Sequence, residues 1–376
     1  MNGRNIKIAK ILGIPIKINI SWIFIFLLIS WTLAIGYFPS DYPGLPKITY
    51  WLMGIISAIL LFISLLIHEL SHSFFVLRYN IPMQGITLFI FGGAAEMTEE
   101  PKNPRQEFTI AIAGLIASFV LGFFFLFLFF LTKIYYPKPA LLGVFKYLAI
   151  INFILIGFNI LPGFPLDGGR ILRALLWYIK GNLREATRIA SNVGSFFGGV
   201  LIFFGLLSIF FGNFINGIWL IFIGFFLMNA ARMSYQQLIA RELLEGIPVS
   251  KVMSTDVKSV SPDISVEDLV NDHFFKCFHH GFPVVKKGKL VGMVTIQDVK
   301  KVTHEKWKET KVSEIMDRDI EKLIVSPEED AIRALSIMSK YKVGRLPVLD
   351  KGKLVGIIAR RDFMQCLEIK VELDKV

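Results

Sequence analysis

The sequence predicts a multi-span α-helical membrane domain, of about six transmembrane helices, followed by a soluble α/β module built on a tandem repeat. Three observations predict it. Long apolar runs recur through the first 235 residues. Charged residues make up only 19% of the 376-residue chain, against roughly 25% in average soluble domains. After about residue 246 the runs shorten to strand length and a stretch repeats itself with a period of about 64 residues.

The wider composition agrees. Hydrophobic residues make up 54%, 35 residues are Phe, and mean hydropathy is +0.57. The net charge of +11 could signal nucleic acid, but no groove-reading motif is present. In a membrane protein the same excess reads as basic cytoplasmic loops, so no nucleic-acid partner is expected. The two cysteines, Cys277 and Cys366, are distant and suit a reducing compartment.

In chain order, residues 1–18 are basic and mildly apolar (Arg4, Lys7, Lys10, Lys17). Ile18 to Phe38 is a first span, too long for a signal-peptide core and read as retained. Phe38 to Thr49 carries three prolines and a glycine and reads as a loop. Tyr50 to Tyr79 is a second span. Ile81 to Arg105 is polar, with a strand at Ile86 to Phe91 before Gly92-Gly93. Phe108 to Leu131, Leu141 to Asn159, Ile189 to Phe211 and Ile218 to Ala231 complete six spans. Small residues from Ala111 to Ser118 suit close helix packing. The basic loops then fall on one side, which the positive-inside rule makes cytoplasmic, with both termini and the soluble module there.

The second span carries His68-Glu69-Leu70-Ser71-His72 near its far end. Residues four apart share a helix face, so both imidazoles can reach one ion, as in a His-Glu-x-x-His zinc site. Glu69 lies between them, where a general base is needed. The alternative is a buried helix whose polar groups bond one another, but three such groups in lipid are costly without a purpose. Catalytic zinc usually has three protein ligands. Asp167, after the proline-broken stretch Asn159 to Leu166 and before Gly168-Gly169, is the best third candidate; an aspartate there serves equally as a turn cap.

These two blocks, His68-Glu69-x-x-His72 in an apolar helix and Asn159-x-x-Pro162 with Leu166-Asp167-Gly168-Gly169-Arg170, resemble the site-2 protease family of intramembrane zinc metalloproteases. The resemblance covers residues 1–235. It implies one zinc held by His68, His72 and Asp167, with Glu69 as general base and Asn159 helping to hold the substrate or its oxyanion. It also implies a membrane-spanning protein substrate that unwinds to be cut, with the strand near Ile86 to Phe91 available to pair with it. Many bacterial members insert a peptide-binding PDZ domain; none is read in this sequence.

In the C-terminal part, Val249 to Met253 matches Val312 to Met316, and Pro283 to Gly292 matches Pro347 to Gly356. Each copy reads as helix, strand, strand, helix. The pair, at 246–304 and 309–372, resembles tandem CBS domains. That resemblance implies an adenosine nucleotide, ATP or AMP, as a regulatory ligand, with Thr295 and Asp298 of the first copy and Asp362 of the second as contacts. The second copy has Ala359 where the first has Thr295, losing a hydroxyl. Arg345 and Arg360 are candidates to face phosphate, and His279-His280 read as surface. Such pairs often dimerise, so a homodimer is compatible with the sequence. A rival reading is a CBS-gated channel or transporter with a structural metal site. It calls for polar residues repeated across several spans or for inverted repeats, and neither is seen.

Overall fold

The computed structural model describes residues 5–89, 92–97 and 99–373. The chain divides into two compact units, Met1–Leu238 and Ile239–Val376.

Six helices among the described residues, all beginning in the first unit, are long and apolar enough to cross a membrane: α1 (Ser21–Asp41), α2 (Lys47–Arg78), α3 (Pro104–Tyr135), α4 (Pro139–Asn159), α6 (Leu183–Phe210) and α7 (Phe214–Leu244). A shorter helix, α5 (Asp167–Lys180), lies between α4 and α6. At ~1.5 Å per residue a helix as long as α2 exceeds a ~30 Å hydrocarbon core, so its ends project or it tilts. Only 17–33% of each apolar window is buried in protein. The remainder, including Phe119, Phe123, Phe127 and Phe130, would be an aggregation surface in water and is an ordinary one in lipid.

Two local departures from the sequence expectation have clear causes. α1 continues to Asp41 rather than ending at Phe38, with a π-helical turn at Leu33–Tyr37. Pro39, which lacks an N–H to continue the helical ladder, follows directly on that π-helical turn. The basic N-terminal segment is a hairpin of β1 (Asn5–Ile11) and β2 (Ile14–Asn19). Leu12 and Gly13 both have positive φ, the backbone of a two-residue hairpin turn. Ile14 and Ile16 alternate with Pro15 and Lys17, a period-2 pattern masked by the segment's overall charge.

The hairpin belongs to a four-stranded sheet in the order β1-β2-β3-β4, with β3 at Met83–Phe89 and β4 at Gly92–Met97. β2 and β3 run parallel, Ile16 facing Ile86; β3 and β4 are antiparallel. Part of the expected strand, Ile90 and Phe91, lies outside the described residues. Glu96 ties three strands, accepting from Thr87 Oγ1 at 2.8 Å and Lys17 Nζ at 3.1 Å. Ile14, Ile16 and Ile86 pack with Leu66 and Leu70, which sets the sheet against the turns of α2 that carry the histidines.

The second unit repeats itself in detail. β5 (Gly281–Lys286) pairs with β6 (Lys289–Thr295), and β7 (Arg345–Asp350) with β8 (Lys353–Ala359). Both hairpins are antiparallel and break register at matching places, Val284/Val285 and Val348/Leu349. The opening segment of each repeat crosses to the hairpin of the other: Ser254 bridges Ile357, and Asp317 bridges Met293. The exchange makes the two repeats one module, with buried cores around Phe282 and Val284 and around Leu346, Val348 and Ile358.

Candidate metal centre

α2 presents His68 and His72 on one face, both buried. Their Nε2 atoms lie 3.1 Å apart. The chain leaves α4 at Asn159 and turns back through a loop that is pinned to α6 where Phe164 N–H donates to the Ala190 carbonyl. That loop delivers Asp167 as the first residue of α5. Its Oδ2 is 3.1 Å from His68 Nε2 and 3.3 Å from His72 Nε2. Among the described residues these three form the one group of His, Cys, Asp or Glu side chains able to share a metal ion.

The opposite nitrogens of both rings are held by α3. His72 Nδ1 is 2.6 Å from the Ile110 carbonyl oxygen, and His68 Nδ1 is 2.9 Å from Ser118 Oγ. A carbonyl only accepts, so His72 carries its proton on Nδ1 and offers the Nε2 lone pair to the centre. Between Ile110 and Ser118, one helical turn from each, lies Gly114. A Cβ there would sit 2.2 Å from His72 Nε2 and 2.7 Å from His68 Nε2. Glycine therefore keeps open the space into which the three donors point. Two imidazoles and a carboxylate, with the outer nitrogens already bonded, are a donor set that fits zinc.

Glu69 points toward the sheet. A Cβ at Gly93 in β4 would meet Glu69 Cγ at 2.5 Å and Oε1 at 3.1 Å, so glycine there leaves room for the Glu69 side chain. Asn159 is half-buried at the last turn of α4, and its side chain has no hydrogen-bond partner among the described residues.

α5 is fixed to α3 by a buried ion pair. The Arg173 guanidinium bonds the Glu107 carboxylate, with Nε to Oε1 at 2.5 Å. It also reaches Glu100 at 3.4 Å and stacks 5.0 Å over the Phe164 ring. Glu100 and Glu96 are thus both paired, Glu100 to Arg173 and Glu96 to Lys17. The sequence reading missed Ser118, Gly114, Gly93 and the Arg173–Glu107 pair. Only the four-residue spacing of Ile110, Gly114 and Ser118 hinted at a common face.

In the repeat module, Thr295 and Asp298 bond each other. Asp298 Oδ2 accepts from Thr295 N–H at 3.0 Å and Thr295 Oγ1 at 2.6 Å, and Lys301 Nζ reaches Oδ1 at 2.8 Å. Burial works against the charge on Asp298, but these donors outweigh it and hold its carboxyl below the usual range. Asp362 caps its own helix, α8 (Arg360–Leu373), by accepting from Ala359 N–H at 2.7 Å. It also lines a cavity of about 420 Å³ together with Lys258, Arg345, Arg361, His279 and His280. His279 and His280 are exposed, as the sequence reads, and also line this cavity, where Arg361 takes the place expected of Arg360. Burial, then Arg345, pushes the His279 pKa down, so its ring is neutral near pH ~7.

An HExxH helix and an aspartate converging inside a bundle of apolar helices define a membrane metallopeptidase. The chain belongs to peptidase family M50, whose signature matches residues 56–137 and 134–204, and it carries two CBS domains, at 249–305 and 312–369. It is 34% identical over 372 residues to the zinc metalloprotease MJ0392 of Methanocaldococcus jannaschii, covering 98% of each chain. It is 33% identical to the protein sll0528 of Synechocystis over 97% of this chain and 96% of that one. The solved site-2 protease from Methanocaldococcus jannaschii is 32% identical, covering 62% of this chain and 95% of that one, with a TM-score of 0.43. The chain is therefore a zinc metalloprotease, and the gated-channel reading gives way.

Proposed function

We propose that this metalloprotease hydrolyses peptide bonds within or next to membrane-spanning segments of its substrate proteins, with His68, His72 and Asp167 as the zinc ligands and Glu69 as general base. The observation that carries the reading is the convergence of the three donors, two of them on a helix long and apolar enough to cross the bilayer. Zinc bound there would lower the pKa of a water toward ~7 and polarise the scissile carbonyl. Glu69 accepts the water's proton as the C–O bond forms and returns it to the leaving amine as the C–N bond breaks. Asn159, at the mouth of the loop that carries Asp167, donates to the substrate carbonyl oxygen. A helical substrate hides its carbonyls in its own hydrogen bonds, so the segment to be cut is extended first. β4, at the edge of its sheet beside Glu69, offers it a backbone to pair with.

Basic residues in the loops that share a side support a cytoplasmic location for both termini and the CBS pair. The cavity beside Asp362, with Lys258, Arg345 and Arg361 on its wall, suits the phosphates of ATP or AMP, which would regulate cleavage. Thr295 and Asp298 serve the fold of the first repeat more than a ligand. Exposed Phe275 and Phe278 suit contact with a second copy in a homodimer.

The test is purified protein with a membrane-spanning substrate, assayed with and without a zinc chelator, alongside Glu69→Gln. The variant is expected to keep zinc and to lose cleavage by about 10²–10⁴-fold. Wild-type rates in Glu69→Gln would remove the base.

A further inference from the structure

We infer that Ser118 is a positioning residue for the metal centre: its hydroxyl, 2.9 Å from His68 Nδ1, holds that imidazole with Nε2 directed at Asp167 and His72. The inference rests on the reading of His68, His72 and Asp167 as ligands.

The two histidines are anchored by different chemistry. His72 bonds a main-chain carbonyl, which admits one tautomer and survives any side-chain change at Ile110. His68 bonds a side-chain hydroxyl, which either donates or accepts. Only when Ser118 accepts does His68 carry its proton on Nδ1 and leave the Nε2 lone pair free for an ion. If Ser118 donates, an Nε2–H points into the space shared with His72 Nε2 and Asp167 Oδ2, where an ion would sit. The setting leaves His68 few alternatives. Ser118 is 1% exposed and His68 5%, so no bulk water replaces the hydroxyl. The ring is further confined by Gly114 on one side, where even a Cβ would be 2.7 Å from Nε2. Removing the hydroxyl leaves Nδ1 buried without a partner, a loss that falls on the ligand and not on the packing of α2 against α3.

Outer-sphere partners of metal-bound histidines typically contribute about 10–100-fold in metal affinity. Full-length protein in detergent, stripped of metal, is titrated with zinc against a competing chelator. Ser118→Ala is expected to bind zinc about 10–100-fold more weakly. Ser118→Thr, which restores a hydroxyl, should recover most of the loss, and Ser118→Cys should fall between. Ser57→Ala, at a fully buried serine of the same unit with no hydrogen-bond partner among the described residues, should bind zinc as wild type does. Cobalt substitution gives a second readout: the visible bands of Ser118→Ala should shift in position or intensity, and those of Ser57→Ala should not. Equal thermal midpoints of the metal-free proteins show that the change lies in the site and not in folding. Wild-type zinc affinity and cobalt bands in Ser118→Ala, while His68→Ala loses the metal, would overturn the role of Ser118 and leave the ligands standing. Unchanged zinc binding after His68→Ala and His72→Ala would overturn the ligand reading, and the role of Ser118 with it.

Discussion

The two units treat their buried polar groups in opposite ways. In the membrane unit, His68, His72 and Asp167 direct their donor atoms at one another, while the outer ring nitrogens are bonded to α3. The polar atoms left over face a common point. In the first CBS repeat, Thr295, Asp298 and Lys301 bond one another, all within seven residues of chain. The second repeat stands between the two, with Asp362 capping a helix and also lining a cavity. The lesson is that a conspicuous acid is informative only once its partners are known. A carboxylate whose partners are local holds up the fold, and one whose partners come from distant segments around an open point is a site.

That contrast breaks first at Gly114. Gly114→Ala puts a methyl where the donors meet, and stoichiometric zinc and cleavage should both be lost while the helices remain, as metal analysis and circular dichroism would report. Wild-type zinc content in this variant would mean the donors do not meet beside α3.

The next effect concerns the ion pair behind the site. Arg173→Ala leaves Glu107 buried without its cation, a loss of about 3–5 kcal/mol by analogy with other broken buried pairs. Replacing both partners, as Glu107→Leu with Arg173→Met, should cost far less. Thermal unfolding of the three proteins checks this; equal losses would show that the pair itself does not hold α5 to α3.

Within the CBS module, Asp298→Ala should destabilise by about 1 kcal/mol through the lost cap and leave nucleotide affinity near wild type. Asp362→Ala should weaken nucleotide binding about tenfold, the weight of one charge-assisted hydrogen bond. Calorimetric titration of both variants sharpens the contrast, and the reverse pattern would exchange the roles of the repeats. The smallest effect is in pH. The Asp298 carboxyl is held low in the folded state, so its contribution to stability is present above the unfolded value near pH ~4 and is lost as pH falls through the lower folded value. Denaturant unfolding of Asp298→Asn should remove that part of the acid sensitivity.

Much of this was legible in the chain. The apolar runs give the spans because a bilayer demands an uninterrupted stretch for each crossing. The repeat is visible because its two hairpins keep the same turns, Lys-Gly-Lys at 287–289 and 351–353. His68 and His72 share a face by helical period alone. What could not be read depends on contacts between segments far apart in the chain. Ser118 and Gly114 look like ordinary small packing residues, and nothing local marks them as neighbours of His68 and His72. Glu107 and Arg173 each look like a surface charge, because only the fold brings α3 and α5 together. The hairpin at 5–19 was obscured by lysines that alternate with its isoleucines.

The most direct test of the centre is zinc X-ray absorption on the purified full-length protein. The account predicts about one zinc per chain, with a first shell of two imidazole nitrogens and oxygen. In Asp167→Ala it predicts a loss of metal or of an oxygen neighbour. A shell unchanged by that substitution, or one containing sulfur, would contradict it.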